Sequence, residues 1–182
     1  MKTNNLRMFL RLVGLIAGKH GGMALIGSVE TANAGSAVDM LASLVAPNAN
    51  KVLGRLNRKI VTVGYTRILS DGAKFLLGSE PGRAAWKNLF TAVVQLLEAP
   101  QDESEIGDGE DQDAALAFAN EVQAVEQRDE VRYNRLAMAA SSGERDPFKS
   151  VADPRLQFVQ SMAKLLGGEA GAVARPLVAA QP

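Results

Sequence analysis

The sequence contains no cysteine, a single histidine and few aromatic residues, which make up 5% of its 182 positions. Without cysteine there is no disulfide scaffold, no zinc–thiolate site and no cysteine nucleophile. His20 alone cannot build a histidine-rich metal site and leaves one imidazole as a candidate base. The scarcity of aromatic side chains and the net charge of zero argue against a nucleic-acid partner, because base stacking and a basic surface are both missing. We therefore expect no cofactor, no metal and no nucleic acid.

The chain also lacks an uncharged apolar run of about 18 residues, so no transmembrane span is predicted. Residues 1–34 nevertheless have the outline of a signal or transit peptide, with basic residues, an apolar stretch and no acid before Glu30. Arg11 interrupts the apolar stretch, which argues against a secretory signal. Apolar residues recur there at helical spacing: Leu6, Phe9, Leu10, Val13 and Ile16. An amphipathic helix of the fold is favoured, and a mitochondrial-type transit peptide remains the alternative.

Charge is distributed unevenly along the chain, although its sum is zero. Residues 1–98 contain 12 Lys and Arg against 5 Asp and Glu, whereas residues 99–182 contain 8 against 15. The front therefore carries +7 and the back −7. This asymmetry indicates charged partners or self-complementarity more than a catalytic pocket.

Residues 1–98 read as a series of helical hairpins. Ser36 is predicted to cap a short helix that Pro47 and Asn48 end. A second helix is expected from Lys51, with Gly64 allowing close approach of a neighbouring helix. Its apolar stripe comprises Val52, Leu56, Ile60, Val63 and Ile68. Residues 78–82 form a break before the clearest helix, predicted over 83–98, in which Trp86, Leu89, Phe90, Val93, Val94 and Leu97 share one face.

The remainder divides into an acidic loop with a weak helix, 99–128, and C-terminal helical repeats with a tail, 129–182. Residues 101–113 hold seven acids and one apolar residue, a composition typical of a solvated loop. In the C-terminal part, Asp153 is a plausible N-cap with Pro154 at the first helical position. The predicted core stripe of that helix is Leu156, Val159, Met162, Ala163 and Leu166. The tail from Glu169 is rich in Ala and is expected to fray.

No segment alternates apolar and polar residues as a half-buried strand does, so the predicted fold class is all-α. Helical pairs recur at roughly 35–45-residue spacing, the range of HEAT-type units. The pattern favours a fragment of a HEAT-repeat-type α-solenoid over the alternative, an irregular helix bundle.

Candidate chemistry is sparse. Residues 18–22, GKHGG, lack the order and the Ser or Thr of a phosphate-binding loop, and a turn is the better interpretation. The acidic loop lacks the ligand spacing of a calcium site. An enzymatic function is therefore not expected.

Charged side chains on the second helix and in the loop are the candidate partner-binding residues. The basic ones are Arg55, Arg58, Lys59 and Arg67, and the acidic ones are Asp102, Glu103, Glu105, Asp108, Glu110 and Asp111. The basic set either docks an acidic partner surface or forms the wet face of an amphipathic helix. Trp86 is either an interface anchor or, as its place in the stripe favours, a core residue.

Two stretches carry a family resemblance. Residues 58–71, RKIVTVGYTRILSD, and residues 135–166, RLAMAASSGERDPFKSVADPRLQFVQSMAKLL, resemble the C-terminal end of the importin-α re-exporters. These are the cellular apoptosis susceptibility exportins of the importin-β (karyopherin) superfamily. The shared order is a Val-Gly-x-Thr core, a Leu-Ala-x-Ala helix end, an Asp-Pro turn and a Gln-Ser helix. The resemblance covers roughly residues 5–170.

The resemblance implies a HEAT-repeat solenoid that is a nuclear export receptor without catalytic activity. Such a receptor binds importin-α together with Ran-GTP, returns it from nucleus to cytoplasm, and shuttles through the nuclear envelope. The family's receptor is several times longer, and its N-terminal arch supplies much of the Ran contact. We therefore expect this chain to begin inside the solenoid and to contact Ran-GTP mainly through a part that it does not contain. The alternative is a stand-alone helical scaffold or a membrane-surface interaction protein.

A solenoid cut on its N-terminal side exposes an apolar helix face. Leu6, Phe9, Leu10 and Val13 are expected to be partly uncovered, and the chain alone is expected to be marginally stable or to self-associate.

Overall fold

The computed structural model describes residues 3–99 and 146–179, and every regular element in these two ranges is helical. The α-helices are α1 Thr3–His20, α2 Gly22–Ala32, α3 Ser36–Met40, α4 Arg55–Asp71, α5 Ala73–Leu76, α6 Glu80–Glu98, α7 Pro154–Gly167 and α8 Gly171–Ala179. A π-helical turn, Leu41–Val45, and a 3₁₀ helix, Ala46–Lys51, connect α3 to α4. The predicted all-α class is confirmed.

Helix α4 is the centre of the core. Its residues 60–66 are all buried, so it is covered on every side rather than along one stripe. Tyr65 and Ile68 are fully buried with Leu10 of α1 and Leu89 of α6 in one apolar cluster. Because α4 carries apolar or small residues around its whole circumference, it can support neighbours in several directions.

Glycines allow α1 and α4 to approach to backbone contact. A Cβ placed on Gly64 would lie 2.5 Å from the Cα of Gly14, and one placed on Gly14 would lie 2.9 Å from the Cα of Val61. Both distances are far inside van der Waals contact, so no residue with a side chain fits at this crossing without separating the helices. The predicted role of Gly64 is confirmed.

Helices α1 and α4 run in the same direction. Arg7 meets Lys51, Gly14 meets Val61, and Gly22, just beyond α1, meets Ile68, so contacts advance along both chains together. Trp86 meets Leu69 near the start of α6, which makes α6 antiparallel to α4. Parallel first helices with antiparallel second helices are the stacking pattern of helical repeats, in which each pair covers its neighbour.

Helix α7 continues this pattern. Its Arg155 donates to the carbonyl of Leu97 and its Phe158 packs on Phe90, so α7 runs antiparallel to α6. It therefore runs parallel to α4. The predicted fragment of a helical-repeat solenoid is confirmed, with α1, α4 and α7 as successive parallel helices.

Three helices start after a glycine with positive φ, a backbone conformation that side chains disfavour. These are Gly21 before α2, Gly35 before α3 and Gly54 before α4, with φ of 96°, 83° and 82°. The prediction of Ser36 as an N-cap is wrong, because Gly35 holds that position. The Glu30 carboxylate accepts hydrogen bonds from the backbone N–H groups of Gly35 and Ala37 at 2.7 and 2.9 Å and replaces the side-chain cap.

Two predicted breaks are also displaced. Pro47 lies in the first turn of the 3₁₀ helix, where its missing N–H costs nothing, so helical structure continues to Lys51. Helix α6 begins at Glu80 rather than at residue 83, because the Ser79 hydroxyl accepts from Gly82 N at 3.2 Å and caps it. Trp86 is fully buried and donates to the Leu69 carbonyl at 3.0 Å, as its core interpretation predicts.

The start of α7 follows the prediction, whereas its buried face does so only in part. The Asp153 carboxylate accepts from Arg155 N at 2.8 Å, which confirms the N-cap. Phe158 and Met162 are buried, whereas Leu156 and Val159 are 56% and 60% exposed. The predicted stripe is thus confirmed for Met162 and Leu166 and wrong for Leu156, Val159 and Ala163, which are exposed. Phe158 is buried instead, because its ring packs on that of Phe90, 5.6 Å between centroids.

The tail and the first helix also depart from expectation. Residues 171–179 form α8 rather than a frayed end, since Ala174 is buried and Arg175 bonds the Leu166 carbonyl through two nitrogens. In α1, Leu10 and Val13 are buried, which contradicts their expected exposure. Leu6 and Phe9 are half-buried, as expected, and the most exposed apolar side chains of α1 are Met8 and Leu12, at 71% and 52% exposure.

Across residues 3–99 and 146–179, no single helix has the length and hydropathy needed to cross a membrane. Only α1 and α2 taken together pass that criterion, as a pair bent by 119°.

Candidate partner-binding surface

The four predicted basic residues lie on α4, but the structure divides them between its two ends. Arg55 is exposed in the first turn, and Arg58 and Lys59 are half-buried just behind it. Arg67 is exposed about 18 Å further along the axis, given a rise of about 1.5 Å per residue. They do not form one surface, because α4 is buried on all sides between its ends.

Two further cations, Arg7 and Lys51, lie at the end of α4 that begins at Arg55. Arg7 Nε donates to the carbonyl of Lys51 at 3.0 Å, and Arg58 Nε donates to the carbonyl of Val52 at 3.4 Å. Two guanidinium groups thus cap adjacent carbonyls at the end of the 3₁₀ helix. We call Arg7, Lys51, Arg55 and Arg58 the basic corner.

The basic corner has no acidic residue in its immediate helix ends. Neither α1 nor α4 has an acid in its first turn, the position where carboxylates normally complement the helix dipole. Because α1 and α4 run parallel, their positive ends lie on the same side of the molecule. Both helix dipoles therefore add positive charge on the side of the molecule that carries these cations.

Sequence reasoning missed Arg7 and Lys51. Arg7 is 44 residues from Lys51, and only the parallel packing of α1 on α4 brings them together. The predicted acidic residues lie outside the residues that the structure describes: Asp102, Glu103, Glu105, Asp108, Glu110 and Asp111.

Two open grooves adjoin α7. One, of about 380 Å³, is lined by polar and small residues, among them Asp71, Lys164 and Glu169. The other, of about 430 Å³, is apolar and runs between α6 and α7, with Val94, Leu97 and Phe158 in its wall. Both are shallow depressions between helices rather than enclosed pockets.

Other groups capable of chemistry stand apart. Within residues 3–99 and 146–179, no three metal-ligating side chains come together. His20 is exposed at the turn between α1 and α2. Burial raises the pKa of the Tyr65 phenol above its usual range, and its hydroxyl has no hydrogen-bond partner in the core.

The parallel helices α1, α4 and α7, with α6 antiparallel to them, are a feature of helical-repeat proteins. Residues 1–180 match the family model described as CAS/CSE protein, C-terminus, and the chain belongs to this family. The family resemblance inferred from the two sequence stretches is thereby confirmed.

Curated relatives carry the name exportin-2. The chain is 27% identical over 167 residues to exportin-2 of Pagrus major, 28% over 167 residues to that of Oreochromis niloticus, and 24% over 168 residues to that of Homo sapiens. Each match covers 90% of this chain and 16% of the relative, so the chain spans about one sixth of the length of these proteins. No solved structure matches it.

Proposed function

We propose that this chain is a C-terminal segment of a nuclear export receptor that binds importin-α together with Ran-GTP and returns importin-α from nucleus to cytoplasm. The observation that carries the proposal is the family match over residues 1–180, which spans every helix described above. The relatives' name, exportin-2, supplies the export activity.

The proposed role is that of a non-enzymatic binding module. A row of parallel helices buries a partner by wrapping it, and two ligands that favour the same curvature raise each other's affinity by the same factor. In this proposal importin-α and Ran-GTP are such a pair, and the segment shuttles between nucleus and cytoplasm through the nuclear envelope. Ran-GTP is contacted mainly by N-terminal repeats of the longer receptor. No nucleic acid takes part.

Charged residues of α4 are the proposed contacts of this segment. Arg55 and Arg67 are accessible for this role, whereas Arg58 and Lys59 are half-buried and contribute through their outer atoms. The acidic residues of 102–111 named above complete the proposal as contacts for a basic partner surface.

A domain replacement tests the function. In human exportin-2, the C-terminal part that this chain matches is replaced by this chain. The hybrid is immobilised, and purified importin-α and Ran are then added. We expect importin-α retention with Ran-GTP and little with Ran-GDP, as for the parent receptor. Truncated exportin-2 without the segment is the matched control. A folded hybrid that performs no better than the truncation would overturn the proposal.

A second candidate is a stand-alone helical scaffold that binds membrane surfaces. The exposed Met8 and Leu12, next to Arg7 and Arg11 on α1, favour it because apolar and basic residues together suit an anionic interface. Salt-sensitive sedimentation with anionic vesicles, lost in Leu12→Gln, would support this candidate and not the first.

A further inference from the structure

We propose that the basic corner is a binding site for acidic peptide segments, with Lys51 and Arg55 as the contact residues and Arg7 and Arg58 beside them. The site shares Arg55 and Arg58 with the contacts proposed above and adds Arg7 and Lys51. It does not depend on the export function, because it is defined by local geometry and charge.

The two contact residues, Lys51 and Arg55, lie close together in sequence at the surface. Lys51 ends the 3₁₀ helix and Arg55 opens α4, so they lie on either side of the turn at Gly54, whose φ is 82°. Both residues are exposed. The hydrogen bond from Arg7 uses the backbone carbonyl of Lys51, so it leaves the ammonium group of that residue at the surface. The two charged side chains are therefore accessible to an incoming group.

Two arginines, Arg7 and Arg58, lie beside the contact residues. Arg7 and Arg58 have a structural role, because each caps a carbonyl at the end of the 3₁₀ helix. Arg7 does so through Nε, at 3.0 Å from the Lys51 carbonyl oxygen. These guanidinium groups place additional positive charge within one turn of Lys51 and Arg55.

The chemistry of the corner favours carboxylates as its ligands. Arg55 presents a planar guanidinium group that matches a carboxylate in two parallel hydrogen bonds, and the ammonium group of Lys51 supplies a second charge nearby. Residues 51–59 contain no aromatic side chain on which a nucleic-acid base would stack. Val52 is buried and Leu53 and Leu56 are half-buried, so the turn between Lys51 and Arg55 presents no exposed apolar side chain for insertion into lipid. A carboxylate-rich polypeptide fits best.

The test measures fluorescence anisotropy of labelled decaglutamate with the full chain at about 0.1 M ionic strength, where the Debye length is about 10 Å. The variant Lys51→Gln/Arg55→Gln is compared with Lys19→Gln/Lys74→Gln, which removes two positive charges from exposed positions at the end of α1 and on α5, away from the corner. We expect the corner variant to weaken binding roughly tenfold and the control variant less than about twofold, since close charge pairs dominate over long-range field.

The chain itself contains seven acids in residues 101–113, which would compete with the probe. The assay is therefore repeated with those seven carboxylates replaced by amides. The proposal is overturned if neither form binds decaglutamate, or if both charge variants weaken binding equally, which would indicate net charge alone. Tighter, corner-dependent binding of a labelled dT10 oligonucleotide, or of anionic vesicles, would overturn it in favour of nucleic acid or lipid. Importin-α and Ran are absent, so this result is independent of the export test.

Discussion

The contact between α1 and α4 and the contact between α6 and α7 are formed by different kinds of residue. At α1–α4, Gly14 and Gly64 bring backbone against backbone, and a single added carbon has no room. At α6–α7, the contact is between rings: Phe90 and Phe158 lie 5.6 Å apart between centroids in a tilted arrangement, and Trp86 stacks on Phe90 within α6 at 5.5 Å. The same helical array is thus specified by the absence of side chains at one contact and by their bulk at the other.

This difference has a consequence for substitution. A backbone contact cannot be repacked, because there is no rotamer to change, whereas aromatic side chains adjust to small changes in volume. We therefore expect a sharp, size-dependent penalty at α1–α4 and a graded one at α6–α7.

The largest effect is expected from Gly64→Val. The added side chain would overlap the backbone of Gly14 and force α1 away from α4, so the free energy of unfolding should fall by at least about 3 kcal/mol. Urea denaturation followed by circular dichroism measures this. Gly27→Ala is the matched control, because a Cβ on Gly27 meets nothing within 4 Å. It should be neutral or stabilise by up to about 1 kcal/mol. Equal losses in both variants would contradict the backbone contact.

A smaller effect is expected from Phe158→Leu at the aromatic contact. The leucine keeps much of the volume and loses the ring interaction with Phe90, so we expect a loss of about 1–1.5 kcal/mol. Val159→Ala is the neighbouring control, since Val159 is 60% exposed, and its change should stay within about 0.5 kcal/mol. If Val159→Ala costs more than Phe158→Leu, the assignment of the buried face of α7 is wrong.

Tyr65→Phe, in the middle of α4, is expected to change the free energy of unfolding in the opposite direction. The Tyr65 hydroxyl is buried without a partner, so its removal should stabilise the protein by about 1 kcal/mol. The raised pKa gives a second readout. Above the ordinary tyrosine pKa near 10, the unfolded chain ionises while the folded core keeps the proton, so wild-type stability falls as pH rises. The Phe variant should lose less stability over that range.

The smallest effect is expected from Asp153→Ala at the start of α7. This change removes the bond from Arg155 N and should cost about 0.5–1 kcal/mol. Asp153→Asn retains the acceptor and should restore most of the loss. A full loss in the Asn variant would indicate that the charge, rather than the hydrogen bond, stabilises the helix.

Much of this architecture could be predicted from local sequence signals. The apolar spacing of α1 and α6, the Asp153-Pro154 start and the small residue at Gly64 all act within one or two turns. The buried face of α7 could not be predicted, since Leu156 and Phe158 suit burial equally until Phe90 is in place. The cap of α3 was also hidden, because Glu30 reaches it from the preceding helix.

The candidate surface also includes residues that could be predicted from the sequence and residues that could not. Arg55 and Arg58 were visible as a basic cluster in sequence, whereas Arg7 joins them only through the direction in which α1 crosses α4. The seven acids of 101–113 lie outside the described residues, and their part in binding stays a prediction.

The glycine crossing also sets how the row responds to mechanical load. A joint of backbone on backbone is stiff, because sliding it by a fraction of an ångström produces overlap on one side and a gap on the other. The aromatic joint between α6 and α7, which adjoins an open groove, is the compliant one. If a load bends this part of the array, we expect the bending to concentrate at α6–α7, while α1 and α4 move together.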